Sequence, residues 1–190
     1  GKRSSGNFER QKRDFYPTPL SAVKPLLPHL LEKTVFDEPC AGNGALVDHL
    51  EAAGHRCLRA TDIEPQRDDV GTCDVFDIES CYGDCFITNP PWNRKILHPL
   101  ILHLCEKAPL WLLFDADWMH TRQAAPYLPY CQKIVSVGRV KWMGPDSPHT
   151  GKDNAAWYLF YNKTSDGFVD FFGDDDKFEE LILLPVFVVC

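Results

Sequence analysis

The chain has 190 residues, which suits one mid-sized domain and leaves little room for a second. Twenty Lys and Arg against 27 Asp and Glu give a formal charge of −7, and 44% hydrophobic with 25% charged residues is ordinary globular composition. Wholesale disorder, a fibrous repeat and a protein that coats nucleic acid by charge alone are thereby excluded, whereas a local basic patch is not.

Residues 1–19 contain no apolar run, so no secretory signal is expected there. The longest apolar stretch, Leu181 to Cys190 with Pro185 inside it, is half a bilayer span, and no transmembrane helix or membrane partner is expected. The eight cysteines include no CxxC, and the pair Cys81 and Cys85 has no second pair or His cluster at zinc spacing. No metal site is implied, and the thiols read as buried, reduced side chains of a cytoplasmic protein. Lys2, Arg3, Arg10, Lys12 and Arg13 make the N-terminal stretch basic, while residues 166–180 hold seven acids against one Lys. The expected organisation is a basic mobile arm over residues 1–14, a single domain over 15–180 and an apolar tail over 181–190.

In chain order, Pro19 opens a helix with apolar positions Leu20, Val23, Leu26, Leu27, Leu30 and Leu31, which Pro25 and Pro28 break or kink. Residues 34–37 read as a buried strand and 38–44 as a turn. A helix is expected over 45–53 with Gly54 as its stop. Strands follow at 57–63, briefly at 72–75, and at 84–88. The second half repeats this rhythm with a helix over 96–105, a fully buried strand over 110–114, a short helix near 119–125, and strands over 133–137 and 155–161. Alternating strands and helices with near-continuous apolar strands predict an α/β fold with a mostly parallel sheet covered on both faces.

Three segments carry chemistry. Glu38-Pro39-Cys40-Ala41-Gly42-Asn43-Gly44 follows the first strand, and its glycines let backbone approach a ligand at a helix N-terminus. The third glycine of a dinucleotide fingerprint is missing, which counts against NAD. Asp62 ends the second strand 18 residues after Gly44, where a carboxylate can take a ribose diol or cap the next turn. Thr88-Asn89-Pro90-Pro91-Trp92 leaves the 84–88 strand. Its prolines withhold two N–H donors and fix the backbone, so the Asn89 carboxamide oxygen and the Pro90 carbonyl face outward as acceptors, with the Trp92 ring as a stacking surface. Such a turn can hold a planar group that bears an NH₂.

In this order the three segments resemble the class I S-adenosylmethionine-dependent methyltransferases that modify exocyclic or amide nitrogen. Asp14-Phe15-Tyr16-Pro17-Thr18-Pro19 resembles the motif preceding the glycine loop in small phage-type N6-adenine DNA methyltransferases. The resemblance is clear over residues 14–92 and looser through Arg139-Val140-Lys141-Trp142 and Gly151-Lys152-Asp153-Asn154-Ala155-Ala156-Trp157. It implies a Rossmann-like fold with an antiparallel last strand and S-adenosyl-L-methionine as cofactor. It also implies DNA adenine as substrate and a bacterial or phage-infected cytoplasm as location. By the same resemblance Tyr16, Pro17 and Thr18 line the methionine end and Glu38, Cys40, Gly42 and Gly44 wrap the cofactor. Asp62 holds its ribose, Ile63 lies against its adenine, and Asp74 with Val75 meets the adenine edge, Asp77 being a rival to Asp74. Asn89, Pro90, Pro91 and Trp92 then hold the target base.

An aromatic amine is a poor nucleophile because its lone pair is delocalised into the ring. Two acceptors on its N–H bonds draw the nitrogen toward a tetrahedral shape, and positioning supplies most of the rate. A duplex base must be flipped out, or already single-stranded, to reach such a site. Arg13, Arg94, Lys95, Arg139, Lys141 and Lys152 are the candidate phosphate contacts, a solvated helix start being the alternative for Arg94 and Lys95. An RNA adenine, a protein glutamine amide and a catalytically silent binding module are the competing readings.

Overall fold

The computed structural model describes residues 16–148, 150–162 and 187–189. The basic arm with Arg13, the acidic stretch 166–180 and most of the apolar tail lie outside the described residues.

Among the described residues eight strands form one sheet: β1 (Val35–Glu38), β2 (Arg56–Asp62), β3 (Gly71–Thr72), β4 (Cys85–Thr88), β5 (Leu110–Asp115), β6 (Cys131–Arg139), β7 (Asn154–Phe160) and β8 (Phe187–Val189). Their order is β3-β2-β1-β4-β5-β7-β6-β8. β1 pairs parallel with β2 and β4, and β4 pairs parallel with β5. β7 inserts between β5 and β6 and runs antiparallel to both, as expected for the 155–161 segment. It is not the final strand, because residues 187–189 of the apolar tail pair parallel with β6 as β8. The tail thus covers the open edge of β6 with backbone hydrogen bonds.

Side chains of β5 alternate between two cores, as a strand period of two requires. Leu110, Leu112 and Phe114 join one cluster with Phe86, Tyr158 and Phe160, and Trp111 and Leu113 join the other with Phe36, Ile87 and Trp157. The first core is covered by α3 (Arg94–Cys105), which buries Leu97, Leu100, Ile101, Leu104 and Cys105. Each fully buried Leu or Ile contributes about 1.5–3 kcal/mol relative to exposure. The second core is covered by α1 (Leu20–Val23) and α2 (Ala45–Ala52). The Trp157 indole N–H donates to the Ala22 carbonyl at 2.8 Å and fastens α1 to the sheet.

One expected helix is broken as its prolines require, and another is absent. The 20–31 segment is one short helix and a separate 3-10 turn at Leu27–His29, because Pro25 and Pro28 cannot continue the ladder. The 119–125 segment holds no α-helix. The β5–β6 connection is made of 3-10 turns at Ala116–His120, Arg122–Ala124 and Leu128–Tyr130, the last with Pro129 in its first turn. No described helix is long and apolar enough to cross a membrane.

Candidate active site

The glycine turn leaves β1 at the carboxyl edge of the parallel strands, where open α/β sheets bind ligands. Gly42 and Gly44 take positive φ of 54° and 76°, a conformation other residues adopt at a cost. Asn43 Oδ1 accepts from the Ala45 N–H at 3.1 Å and starts α2. Asp62, at the end of β2, accepts from the Gly42 N–H at 2.9 Å with Oδ2 and from the Glu64 N–H at 2.9 Å with Oδ1. The Thr61 carbonyl accepts from the Ala41 N–H and the Gly42 carbonyl from the Gln66 N–H, so the turn is tied to the end of β2 and to the loop after it. The Arg67 guanidinium lies over Gly44, where any Cβ would strike it, and pairs with Asp48 and Asp69.

A cavity of about 250 Å³ opens between this turn and the start of the described chain. Tyr16, Thr18, Glu38, Cys40, Gly42, Asp62 and Ile63 are among its walls. Glu38 is buried on the last residue of β1, and Oε1 accepts from the Thr88 hydroxyl at 3.4 Å. Its Oε2 is buried without a partner. Burial, reinforced by the neighbouring Asp62 charge, pushes the Glu38 carboxyl well above the ordinary carboxylate range. Burial likewise pushes the Cys40 thiol up, with Asp62, Glu38 and Asp74 adding to it. An amino group brought to Glu38 would meet the missing partner of Oε2. Asp62 keeps unshared lone pairs beyond its two backbone bonds, and Ile63 offers an apolar surface that is 63% exposed. An amino acid joined to a nucleoside fits this set of groups.

β4 delivers the second half. Thr88 and Pro90 are buried, and Asn89 stands between them with its side chain at the cavity. Asn93 Oδ1 accepts from the Lys95 N–H at 3.1 Å and caps α3, so the Asn-Pro-Pro-Trp turn is braced by β4 on one side and a helix on the other. A second cavity of about 460 Å³ lies beyond it, walled by Asn89, Pro90, Pro91, Trp92, Trp142 and residues 150–153. Tyr16, Asn89 and Pro91 line both cavities. Trp142, from the β6–β7 loop, meets Trp92 edge to face with ring centroids 5.7 Å apart.

Not every residue singled out in the sequence reaches these walls. Pro17 is exposed beside Tyr16, Val75 is packed in the core, and Asp74 caps a 3-10 turn by accepting from the Phe76 N–H at 3.0 Å. Asp77 is exposed. Of the candidate cations, Lys152 lines the larger cavity. Arg94 and Lys95 open α3, Arg94 donating to the Gln123 carboxamide at 2.8 Å. Arg139 is exposed at the end of β6, and Lys141 donates to the Pro145 carbonyl at 3.3 Å. Trp142 and Arg67 had no assigned role in the sequence reading. An aromatic within a loop rich in Lys and Arg is a signal for the first, but nothing in the spacing of Arg67 from Gly44 announces the second.

No protein-family model matches the sequence, and a comparison with curated proteins finds no match. Solved structures do resemble the fold. An RNA methyltransferase candidate from Pyrococcus horikoshii aligns at a TM-score of 0.56 and 15% identity, over 77% of this chain and 87% of that one. A dimethyladenosine transferase from Plasmodium falciparum aligns at 0.53 and 17%, over 88% and 69%. The M protein of the type I restriction enzyme EcoKI aligns at 0.51 and 10%, over 80% of this chain but 45% of that one. The sheet order, the antiparallel β7 and these likenesses define a Rossmann-like class I methyltransferase fold.

Proposed function

We propose that the chain is an S-adenosylmethionine-dependent N-methyltransferase acting on the exocyclic amine of adenine in DNA, presented flipped out or single-stranded. The observation that carries the reading is that Asn89 and Pro91 lie on the shared wall of the two cavities. The smaller cavity suits the cofactor, with Glu38 for its ammonium, the Gly42–Gly44 turn against its chain, and Asp62 for its ribose. When bound, S-adenosylmethionine supplies a methyl group activated by the sulfonium. The larger cavity suits a planar base against the Trp92 and Trp142 rings.

Within that arrangement the chain's own residues position and polarise. Asn89 Oδ1 and the Pro90 carbonyl accept from the two amine N–H bonds and localise the nitrogen lone pair toward the methyl group. With the cofactor bound, the amine that Asn89 and Pro90 hold would be the acceptor of its methyl group, and the surplus amine proton would leave to water without a strong base. Lys152 in the cavity wall, Arg94 and Lys95 just after Trp92, and Arg139 at the end of β6 with Lys141 in the loop after it supply candidate phosphate contacts, as does Arg13 in the arm. Such contacts fix register without reading sequence.

DNA is preferred because the segment containing Tyr16, Pro17 and Thr18 resembles the N6-adenine DNA methyltransferases, and Tyr16 and Thr18 line the cofactor-sized cavity. RNA adenine is the second reading, favoured by the Pyrococcus horikoshii neighbour's name. Methyl-labelled cofactor offered with separate pools of double-stranded DNA, single-stranded DNA, RNA and protein separates them. Label in a DNA pool supports the proposal, and label confined to RNA or protein overturns the substrate.

A further inference from the structure

The Asn89 carboxamide is held at both ends. Its Nδ2 donates to the Thr18 hydroxyl oxygen at 3.3 Å, and its Oδ1 accepts from the Trp92 indole N–H at 3.1 Å. These partners are not equivalent. A hydroxyl both donates and accepts, so Thr18 would tolerate either end of the amide. The indole N–H only donates, and the atom facing it must be oxygen. Trp92 alone therefore decides which way the carboxamide points.

The ring is placed to do this. Trp92 is half-buried and packs against both cores, Trp142 meets its ring at 84°, and its backbone runs between Pro91 and the Asn93 cap. A carboxamide oxygen has two acceptor sites, of which Trp92 takes one and leaves one for a substrate. Phe would keep an aromatic ring at this place without an N–H.

We propose that Trp92 is a positioning residue acting through Asn89: its indole N–H fixes the carboxamide so that the free acceptor site of Oδ1 serves the target amine. The proposal rests on the methyltransferase reading for its kinetic consequence, but not for the orientation itself. Without the N–H, the amide samples the flipped state, in which an NH₂ group confronts the amine it should accept from.

The test is a double-mutant cycle with a spectroscopic arm. Trp92→Phe keeps an aromatic ring, and its expected effect is a fall in kcat of about tenfold, the worth of one oriented hydrogen bond. Cofactor affinity stays within about twofold, and any rise in substrate KM from the smaller ring surface is the same in both Asn89 backgrounds. Asn89→Asp presents two equivalent oxygens, so no orientation remains to be lost. In that background Trp92→Phe should change kcat by less than about twofold. An equal loss of kcat in both backgrounds would show that Trp92 acts through its ring surface and overturn the proposal. Independently of any turnover, the Trp92 indole ¹H–¹⁵N signal should be protected from exchange in the wild type and lose protection in Asn89→Ala. A signal unchanged by Asn89→Ala overturns the orientation. An absence of methyl transfer to every pool, with the indole effect intact, overturns the function and leaves the orientation standing.

Discussion

Gly42 and Asp62 are joined by a single hydrogen bond of 2.9 Å that ties the turn after β1 to the end of β2. The same carboxylate holds the Glu64 N–H through its other oxygen. Asp62 thus shapes the cofactor-sized cavity before it meets any ligand. Its sequence position left a ribose contact and a cap of the next turn open, and the bond from the Glu64 N–H is such a cap.

Replacing Asp62 with Ala leaves both N–H groups without their acceptor. Each unpaired buried group costs about 1–3 kcal/mol, discounted where water reaches the turn. The expected outcome is a lower midpoint of thermal unfolding together with at least about tenfold weaker cofactor binding. Calorimetric titration against S-adenosylhomocysteine checks this. Unaltered affinity would remove Asp62 from the cavity's design.

Gly83 is a packing requirement. A Cβ there would lie 2.7 Å from the Phe36 Cα and 2.7 Å from the Val35 carbonyl oxygen, both backbone atoms that cannot rotate away. Its N–H, with that of Tyr82, also satisfies the buried Asp37 carboxylate, which pairs with Arg59 at 3.1 Å. Gly83→Ala should destabilise the protein by about 1–3 kcal/mol, the usual cost of overpacking. Urea unfolding should show a lower midpoint, with cofactor affinity preserved in the remaining folded protein.

Two half-buried histidines serve as acceptors. His55 Nδ1 accepts from the Thr34 N–H at 3.1 Å, and His98 Nε2 pairs with the Trp118 indole N–H at 3.0 Å. Burial lowers both from the ordinary value of 6.5, and the nearby Arg94 charge lowers His98 further. A depressed value means the folded state resists protonation. This contribution to stability is complete above 6.5 and is lost as pH falls through 6.5 toward the folded values. Unfolding midpoints should fall between about pH 7 and about pH 5. His55→Asn with His98→Gln keeps an acceptor at each place and should flatten that slope. An unchanged slope would assign it to other groups.

Much of this fold is legible in the sequence because its strands are short apolar runs with sharp ends. Leu110 to Phe114 and Cys85 to Thr88 can sit nowhere but inside a sheet, and Pro25 and Pro28 announce the break after α1. The expected 119–125 helix is absent because Thr121 is extended, with φ −89° and ψ 149°, and separates two 3-10 turns. β8 was legible only as part of an apolar tail, without its pairing to β6. The site was half visible. Asn89, Trp92, Glu38 and Asp62 stand in recognisable local patterns, whereas Trp142 and Arg67 reach the site across long sequence separations. The Trp92 to Asn89 bond was invisible for another reason: it depends on rotamers that packing chooses.

The central claim is that Asn89 presents the acceptor for an adenine amine in DNA. Wild type and Asn89→Ala are incubated with methyl-labelled S-adenosylmethionine and DNA, the DNA is digested to nucleosides, and N6-methyladenine is quantified. The wild type should label the adenine N6 position, and Asn89→Ala should do so at least about 10²-fold more slowly with cofactor affinity unchanged. An Asn89→Ala protein that methylates adenine at the wild-type rate, or a wild type that leaves DNA adenine unlabelled, would contradict the account.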